Sequence, residues 1–212
     1  MDEPLIRPFD PEADMEGVYA CYAEGFRHIV WPFLDHADKS LNMDILRLFW
    51  KGCTHGFVAE QGGEVHGVIF GSIPERPKHV LSMIPRGAGL MLRAALGQGM
   101  EPVARRHFFN MALGYAPHVL RHPVDFSSAE ILLFTSRKLL RGRGMGRKLM
   151  DAFVQKAKSE KVPSIHVCTD TSLSWHFYEA YGFSRVREFP MKAYSISLPG
   201  QDHQGLIYRM GL

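Results

Sequence analysis

The stretch Arg141-Gly142-Arg143-Gly144-Met145-Gly146-Arg147-Lys148 alternates glycines with clustered cations. It follows an apolar, strand-like run, Ile131-Leu132-Leu133-Phe134-Thr135-Ser136, and opens an amphipathic helix. A strand, a glycine turn and a helix start present free backbone N–H groups to a phosphate. Glycines let the main chain approach such a ligand closely. Six cations and no acid lie between Arg137 and Lys148, so the electrostatics agree. The segment is expected to bind a phosphorylated cofactor. Two common phosphate motifs fail here. A P-loop needs a hydroxyl after its lysine, and Leu149 follows Lys148. The dinucleotide fingerprint G-x-G-x-x-G would need its third glycine where Arg147 stands.

What the turn does match is Gln or Arg, two residues, Gly, one residue, then Gly or Ala, read as Arg141-x-x-Gly144-x-Gly146. A second segment runs Thr171-Ser172-Leu173-Ser174-Trp175-His176-Phe177-Tyr178-Glu179-Ala180-Tyr181-Gly182-Phe183. Together they resemble the two signature motifs of the GCN5-related N-acetyltransferases, the GNAT superfamily. Ser174, Phe177, Tyr178, Glu179, Gly182 and Phe183 match the second motif, and Thr171 stands where asparagine is usual. The resemblance covers most of the chain outside roughly residues 75–128. It implies acetyl-CoA (coenzyme A) as the cofactor, an α/β (α+β) fold with a mixed, mostly antiparallel central sheet flanked by helices, and an acceptor that is an amine. Carried over residue by residue, it implies main-chain contacts to the pantetheine arm at Phe134 and Ser136. It implies a pyrophosphate site over Arg141, Gly142, Arg143, Gly144, Met145, Gly146 and Arg147, mostly through main chain, and cofactor contacts at Thr171 and Tyr178.

Acetyl transfer from a thioester to an amine sets its own demands. An alkyl amine is mostly protonated at pH 7, so a base must take a proton, directly or through water. The oxyanion needs a donor, and the departing thiolate benefits from an acid. Glu130 opens the strand before the glycine turn, and its spacing to Arg141 matches the catalytic glutamate of the GCN5 histone acetyltransferases, which Ala129-Glu130-Ile131 resembles. It is the candidate base, against the reading of a solvated glutamate at a strand start. Tyr178 is the candidate acid to the CoA sulfur, against an amphipathic core tyrosine. Cys168 would serve a ping-pong route, but with no identifiable histidine neighbour it reads as structural. His118 and His122 share i, i+4 spacing but lack H-E-x-x-H, and Cys53 with His55 makes only two ligands, so no metal site is expected. The competing reading from another class is a non-catalytic CoA-binding sensor or interaction protein.

Composition bounds the rest. The chain has 212 residues, 46% of them apolar, and a formal net charge of +3. That supports one domain, 1–212, with a helical insertion at about 75–128. The basic excess clusters at the glycine turn instead of spanning a face, which argues against nucleic acid. No apolar run approaches a membrane span. Met1-Asp2-Glu3-Pro4 lacks the apolar region of a secretory signal, and Cys21, Cys53 and Cys168 are odd in number and dispersed. A cytoplasmic protein is therefore expected. The acceptor is a small-molecule or peptide amine of open identity, and a homodimer is the favoured oligomer.

The positioning elements follow from periodicity. Leu5–Phe9 reads as a strand, with Asp10 as helix N-cap and Pro11 in the first turn. Met15, Val18, Tyr19, Tyr22 and Phe26 recur at helical spacing. Met43–Trp50 reads as a short helix, and residues 56–60 and 65–73 as a hairpin about Gln61-Gly62-Gly63. Glu130–Ser136 is a strand and Gly144–Glu160 a helix with Met145, Leu149, Phe153, Val154 and Ala157 as its buried stripe. Ser164–Asp170 is a strand, Leu173–Tyr181 a helix closed by Gly182, and Phe183–Phe189 and Gly205–Met210 are the last strands. The stretch 75–128 breaks this pattern with two or three helices between the third and fourth strands. They either cover a sheet edge or dimer contact, or wall the acceptor pocket. Arg105, Arg106 and Arg121 would either meet an acidic group of the acceptor or, the favoured reading, form a solvated helix face.

Overall fold

The computed structural model describes residues 3–74, 78–121, 127–137, 142, 144–197 and 202–212. The strands are β1 (Leu5–Pro8), β2 (His55–Gln61), β3 (Glu64–Ser72), β4 (Ala129–Ser136), β5 (Ser164–Asp170), β6 (Ser184–Pro190) and β7 (Gln204–Gly211). The helices are α1 (Met15–Gly25), α2 (Arg27–His36), α3 (Lys39–Lys51), α4 (Lys78–Ala95), α5 (Pro102–Arg121), α6 (Met145–Ser159), α7 (His176–Tyr181) and α8 (Lys192–Ser197). One seven-stranded sheet has the order β1-β2-β3-β4-β5-β7-β6. Among the described residues only β4 and β5 pair in parallel. This is the mixed, mostly antiparallel sheet expected, with α4 and α5 between the third and fourth strands.

Two cores lie on the two faces of the sheet. On one, α6 sets Met145, Leu149, Phe153, Val154 and Ala157 against Ile69, Ile131, Ile165 and Val167. The predicted stripe of α6 is buried in full. A Cβ on Gly71 would collide with the Phe153 ring, so the helix lies where only glycine allows it. On the other face, α1–α3 pack with Leu90 and Ala94 of α4, Ala104 of α5 and Met191 and Tyr194 of and beside α8.

Several elements depart from expectation. Asp10 does not cap α1. Its Oδ1 accepts the N–H groups of Glu12 (2.8 Å) and Ala13 (3.3 Å), making a turn that delays the helix to Met15 behind Asp14. Asp14 is buried by a two-pronged pair with Arg7, both contacts 2.7 Å, which holds its carboxyl below the usual range. The helix α2 is not announced by the sequence pattern, because Pro32 sits inside it. The predicted helix at Met43 begins four residues earlier, and α8 lies in a stretch to which the pattern assigns no element. The helix predicted from Leu173 shortens to α7, beginning only at His176.

Candidate functional site

The pairing of β4 with β5 covers three positions: Ala129 with Ile165, Glu130 with His166, and Ile131 with Val167. Beyond them β4 stays paired to β3 as far as Ser136, and β5 stays paired to β7 as far as Asp170. The two parallel strands therefore part, and the sheet carries a wedge-shaped gap that opens toward their C-terminal ends. The register gives the cause. Phe70 faces Leu133 and Gly71 faces Ile131, so Leu132 is an extra residue in β4. Such a bulge bends a strand and increases its twist, and it sits where the β5 pairing stops. It also resets the alternation of side chains. Ala129 and Ile131 face the α6 core, whereas Leu133 faces the α1 core and the Thr135 hydroxyl reaches Cys21 O of α1.

The main chain along the gap can be assigned from one hydrogen bond. Arg137 N–H donates to His66 O at 2.8 Å. Alternation then turns the polar groups of Thr135 and Leu133 toward β3, and those of Phe134 and Ser136 toward the gap. The two residues expected to contact an extended ligand are thus the two whose main chain faces it. The Phe134 ring turns to the α6 side and lies 5.1 Å from the Phe177 ring.

At the open end of the gap stands the glycine turn. Gly142 and Gly144 have φ of 79° and 77°, a left-handed conformation that favours glycine. Gly144 is the N-cap of α6, and the first helical bond runs from Lys148 N–H to Gly144 O. The N–H groups of Met145, Gly146 and Arg147 precede it and have no place in the helix ladder. A positive helix end therefore points at the mouth of the gap. Gly146 lies under the Phe134 and Phe177 rings, 3.4 and 3.5 Å from where a Cβ would stand. The Arg147 guanidinium lies 5.2 Å over the Tyr181 ring, and Lys148 pairs with Glu3. Arg141 and Arg143, expected in this site, lie outside the described residues.

At the closed vertex Glu130 and His166 share one face, since their neighbours in each strand point into the α6 core. Glu130 Oε1 is 3.7 Å from His166 Nε2. Cys168 follows His166 on that face, and burial together with Glu130 and Asp170 pushes its thiol up to about 12. Tyr178 lies on the opposite face, packed on Tyr208 (5.8 Å, stacked) and edge-on to Phe183 (5.7 Å). Burial pushes its phenol well up, and Cys168 adds to the shift. Thr171 is occupied: its hydroxyl accepts the Gln204 N–H at 3.1 Å and its N–H donates to Gln204 O at 2.9 Å. It ties the end of β5 to the start of β7. Cys53, paired with His55 in sequence as a candidate, is buried and donates to Phe49 O. His166 is a site residue that sequence reasoning misses. The alternation in Ser164–Asp170 places it on the Glu130 face, but only the parallel register brings it opposite Glu130.

Residues 112–183 match the family model described as Acetyltransferase (GNAT) family. That span holds both motifs, β4, α6, β5 and α7. The fold is shared with an N-acetyltransferase from Staphylococcus aureus Mu50 (TM-score 0.58, 14% identity, 99% of each chain covered). It is shared also with a GNAT family acetyltransferase from Elizabethkingia anophelis, solved with acetyl-CoA bound (TM-score 0.56, 14% identity, 100% of each chain). Against a putative streptothricin acetyltransferase from Bacillus anthracis str. Ames, the match covers 76% of this chain and 63% of that one, at 14% identity and TM-score 0.46. The resemblance to the GNAT superfamily drawn from the two motifs and the mixed-sheet fold expected from it both hold.

Proposed function

We propose that this chain, with its GNAT fold and a GNAT family match over residues 112–183, is an acyl-CoA-dependent N-acetyltransferase. It moves an acetyl group from acetyl-CoA to a primary amine of a small molecule or peptide by direct attack in a ternary complex. The observation that carries this reading is the wedge between β4 and β5, with a left-handed glycine turn and the α6 N-terminus at its mouth. The residues fit the cofactor. Free N–H groups and clustered cations suit a pyrophosphate. Phe134 and Ser136 offer main-chain partners to a polar, extended arm. From Ile131 to Ser136 the strand spans roughly 17 Å, so a ligand anchored at the turn extends its far end to the vertex where Glu130 and Tyr178 flank the sheet. When bound, acetyl-CoA supplies an activated carbonyl and a thiolate leaving group.

The protein groups then divide the work. Glu130, half-buried, takes the proton of the incoming amine. Tyr178, kept protonated by burial, donates a hydrogen bond to the sulfur. Cys168 takes no acetyl group, because its thiol is held far from ionisation. The packing of α5 on both α2 and α8 supports one domain, and in this reading the two inserted helices wall the acceptor side. Among the described residues no helix is long and apolar enough to cross a membrane.

Calorimetric titration with acetyl-CoA tests the reading first. Saturable binding near one per chain at roughly micromolar affinity, followed by thiol release with some member of an amine panel, is the expected result. Binding without thiol release from any amine would favour a CoA-binding sensor.

A further inference from the structure

The row of residues that crosses the sheet at the vertex carries three ionisable groups in register: Glu130 on β4, His166 on β5 and Arg209 on β7. All three lie on the face away from α6. Glu130 Oε1 and His166 Nε2 stand 3.7 Å apart, an ion-pair distance that a small side-chain rotation closes to a hydrogen bond. The imidazole is 22% exposed and the carboxylate 34%, so the pair meets the vertex on one side and solvent on the other. Arg209 is anchored through its Nε to Ser164 Oγ at 3.1 Å, and that hydroxyl is bonded in turn to Ser128 Oγ at 2.7 Å. Among the described residues, the titratable groups of the neighbouring strand positions on this face are therefore Glu130 from β4, Arg209 from β7 and Cys168 from its own strand. A guanidinium does not release its proton in a protein. The Cys168 thiol is half-buried and remote from ionisation. Glu130 is the one neighbour placed to exchange a proton with the ring.

We propose that His166 is a positioning and proton-relay residue for Glu130, an inference that rests on the acetyltransferase reading above. In the reaction the amine nitrogen bonds to the thioester carbonyl carbon, and the carbon–sulfur bond breaks with its electron pair on sulfur. The proton shed by nitrogen goes to the Glu130 carboxylate, then to the free nitrogen of the His166 imidazole. The second ring nitrogen releases a proton to water, and Glu130 returns as carboxylate. An imidazole suits this because it accepts at one nitrogen and donates at the other. Tyr178 sits on the opposite face among Phe183 and Tyr208. The sheet thus separates the group that removes a proton from the group that faces the leaving sulfur.

The test uses His166→Gln, which keeps a polar side chain of similar reach. Expected is a fall in kcat of roughly ten-fold, with the acceptor KM and the affinity for acetyl-CoA unchanged. The pH–rate profile should lose one ionisation, and added imidazole should restore rate to His166→Gly. A readout independent of turnover is spectroscopic. The His166 ring resonances, identified by their absence from His166→Gln, should move in the unliganded Glu130→Gln protein. Wild-type kcat in His166→Gln, or ring resonances that ignore the Glu130 change, would overturn the relay while leaving the acetyltransferase reading intact. A wild-type protein that turns over no amine would overturn both.

Discussion

Three side chains around the vertex of the gap are separable by substitution. Glu130→Gln removes a proton acceptor while preserving shape, at a half-exposed position on a paired stretch of strand. Its kcat is expected to fall by about 100-fold, with acetyl-CoA binding retained in calorimetry. Tyr178→Phe acts differently. Because burial raises the phenol, it is a firm hydrogen-bond donor but a poor source of a free proton. Its loss should cost only about ten-fold in kcat. The buried hydroxyl is absent in the variant, so stability should hardly fall, as denaturant midpoints will show. Cys168→Ala tests the route. With the thiol held at about 12 there is almost no thiolate at neutral pH. Turnover should persist, and a covalent acetyl-protein species should not accumulate when acetyl-CoA is supplied without acceptor. Trapped acetyl on Cys168 in a mass spectrum would replace direct attack with a two-step route.

At the scale of elements, the function rests on how β4 ends and α6 begins. Gly144 and Gly146 are close in sequence but constrained by different physics. Gly144 has positive φ and open space within 4 Å of where a Cβ would stand, so Gly144→Ala meets only backbone strain, about 1–2 kcal/mol. Gly146 is helical, and a Cβ there makes ordinary contacts with the Phe134 and Phe177 rings. Gly146→Glu places a carboxylate at a helix N-terminus, which favours the helix and opposes a pyrophosphate. The expected contrast is a melting temperature lowered by a few degrees in Gly144→Ala and nearly unchanged in Gly146→Glu. Acetyl-CoA affinity should fall at least about ten-fold in Gly146→Glu. Unchanged affinity there would remove the phosphate turn from the site. The turn and the α6 stripe were legible because glycine spacing and a 3.6-residue period are local signals. The bulge at Leu132 was not. Ile131, Leu132 and Leu133 are all apolar, so an extra residue between two buried faces leaves no mark on the pattern. Pro32 concealed α2 for the opposite reason, since a local signal was overruled by packing of Ile29, Val30 and Phe33. Thr171 adds a structural contact that its motif position did not signal, since its hydroxyl accepts from Gln204 of β7, a partner 33 residues away.

For the whole molecule, the inserted helices and the sheet domain are joined through one large core, and a histidine lies within it. His107 of α5 is 1% exposed. Its ring lies 5.2 Å from Phe33 of α2 and 5.8 Å from Tyr194 of α8, and it bonds the main chain of Ile29. Three elements from distant parts of the chain thus meet on one imidazole. Burial pushes its pKa down to about 4, against an ordinary 6.5. The unfolded chain therefore binds a proton between those values while the native state does not. Stability from this group is complete above pH 6.5 and declines as pH falls toward 4, by roughly 3 kcal/mol in all. Below pH 4 both states are protonated and the loss stops. His107→Gln should be less stable than wild type at pH 7, having lost the ring contacts. It should also lack this acid limb, so that the two proteins approach each other in stability near pH 4. Urea midpoints taken across pH 4–7 would show the convergence, and parallel curves would place the acid sensitivity elsewhere. Because α5 walls the acceptor side in the function proposed here, protonation of the folded His107 near pH 4 would loosen that wall before the phosphate turn at α6, which belongs to the other core. Acceptor KM should accordingly rise only as pH approaches 4, while acetyl-CoA affinity holds.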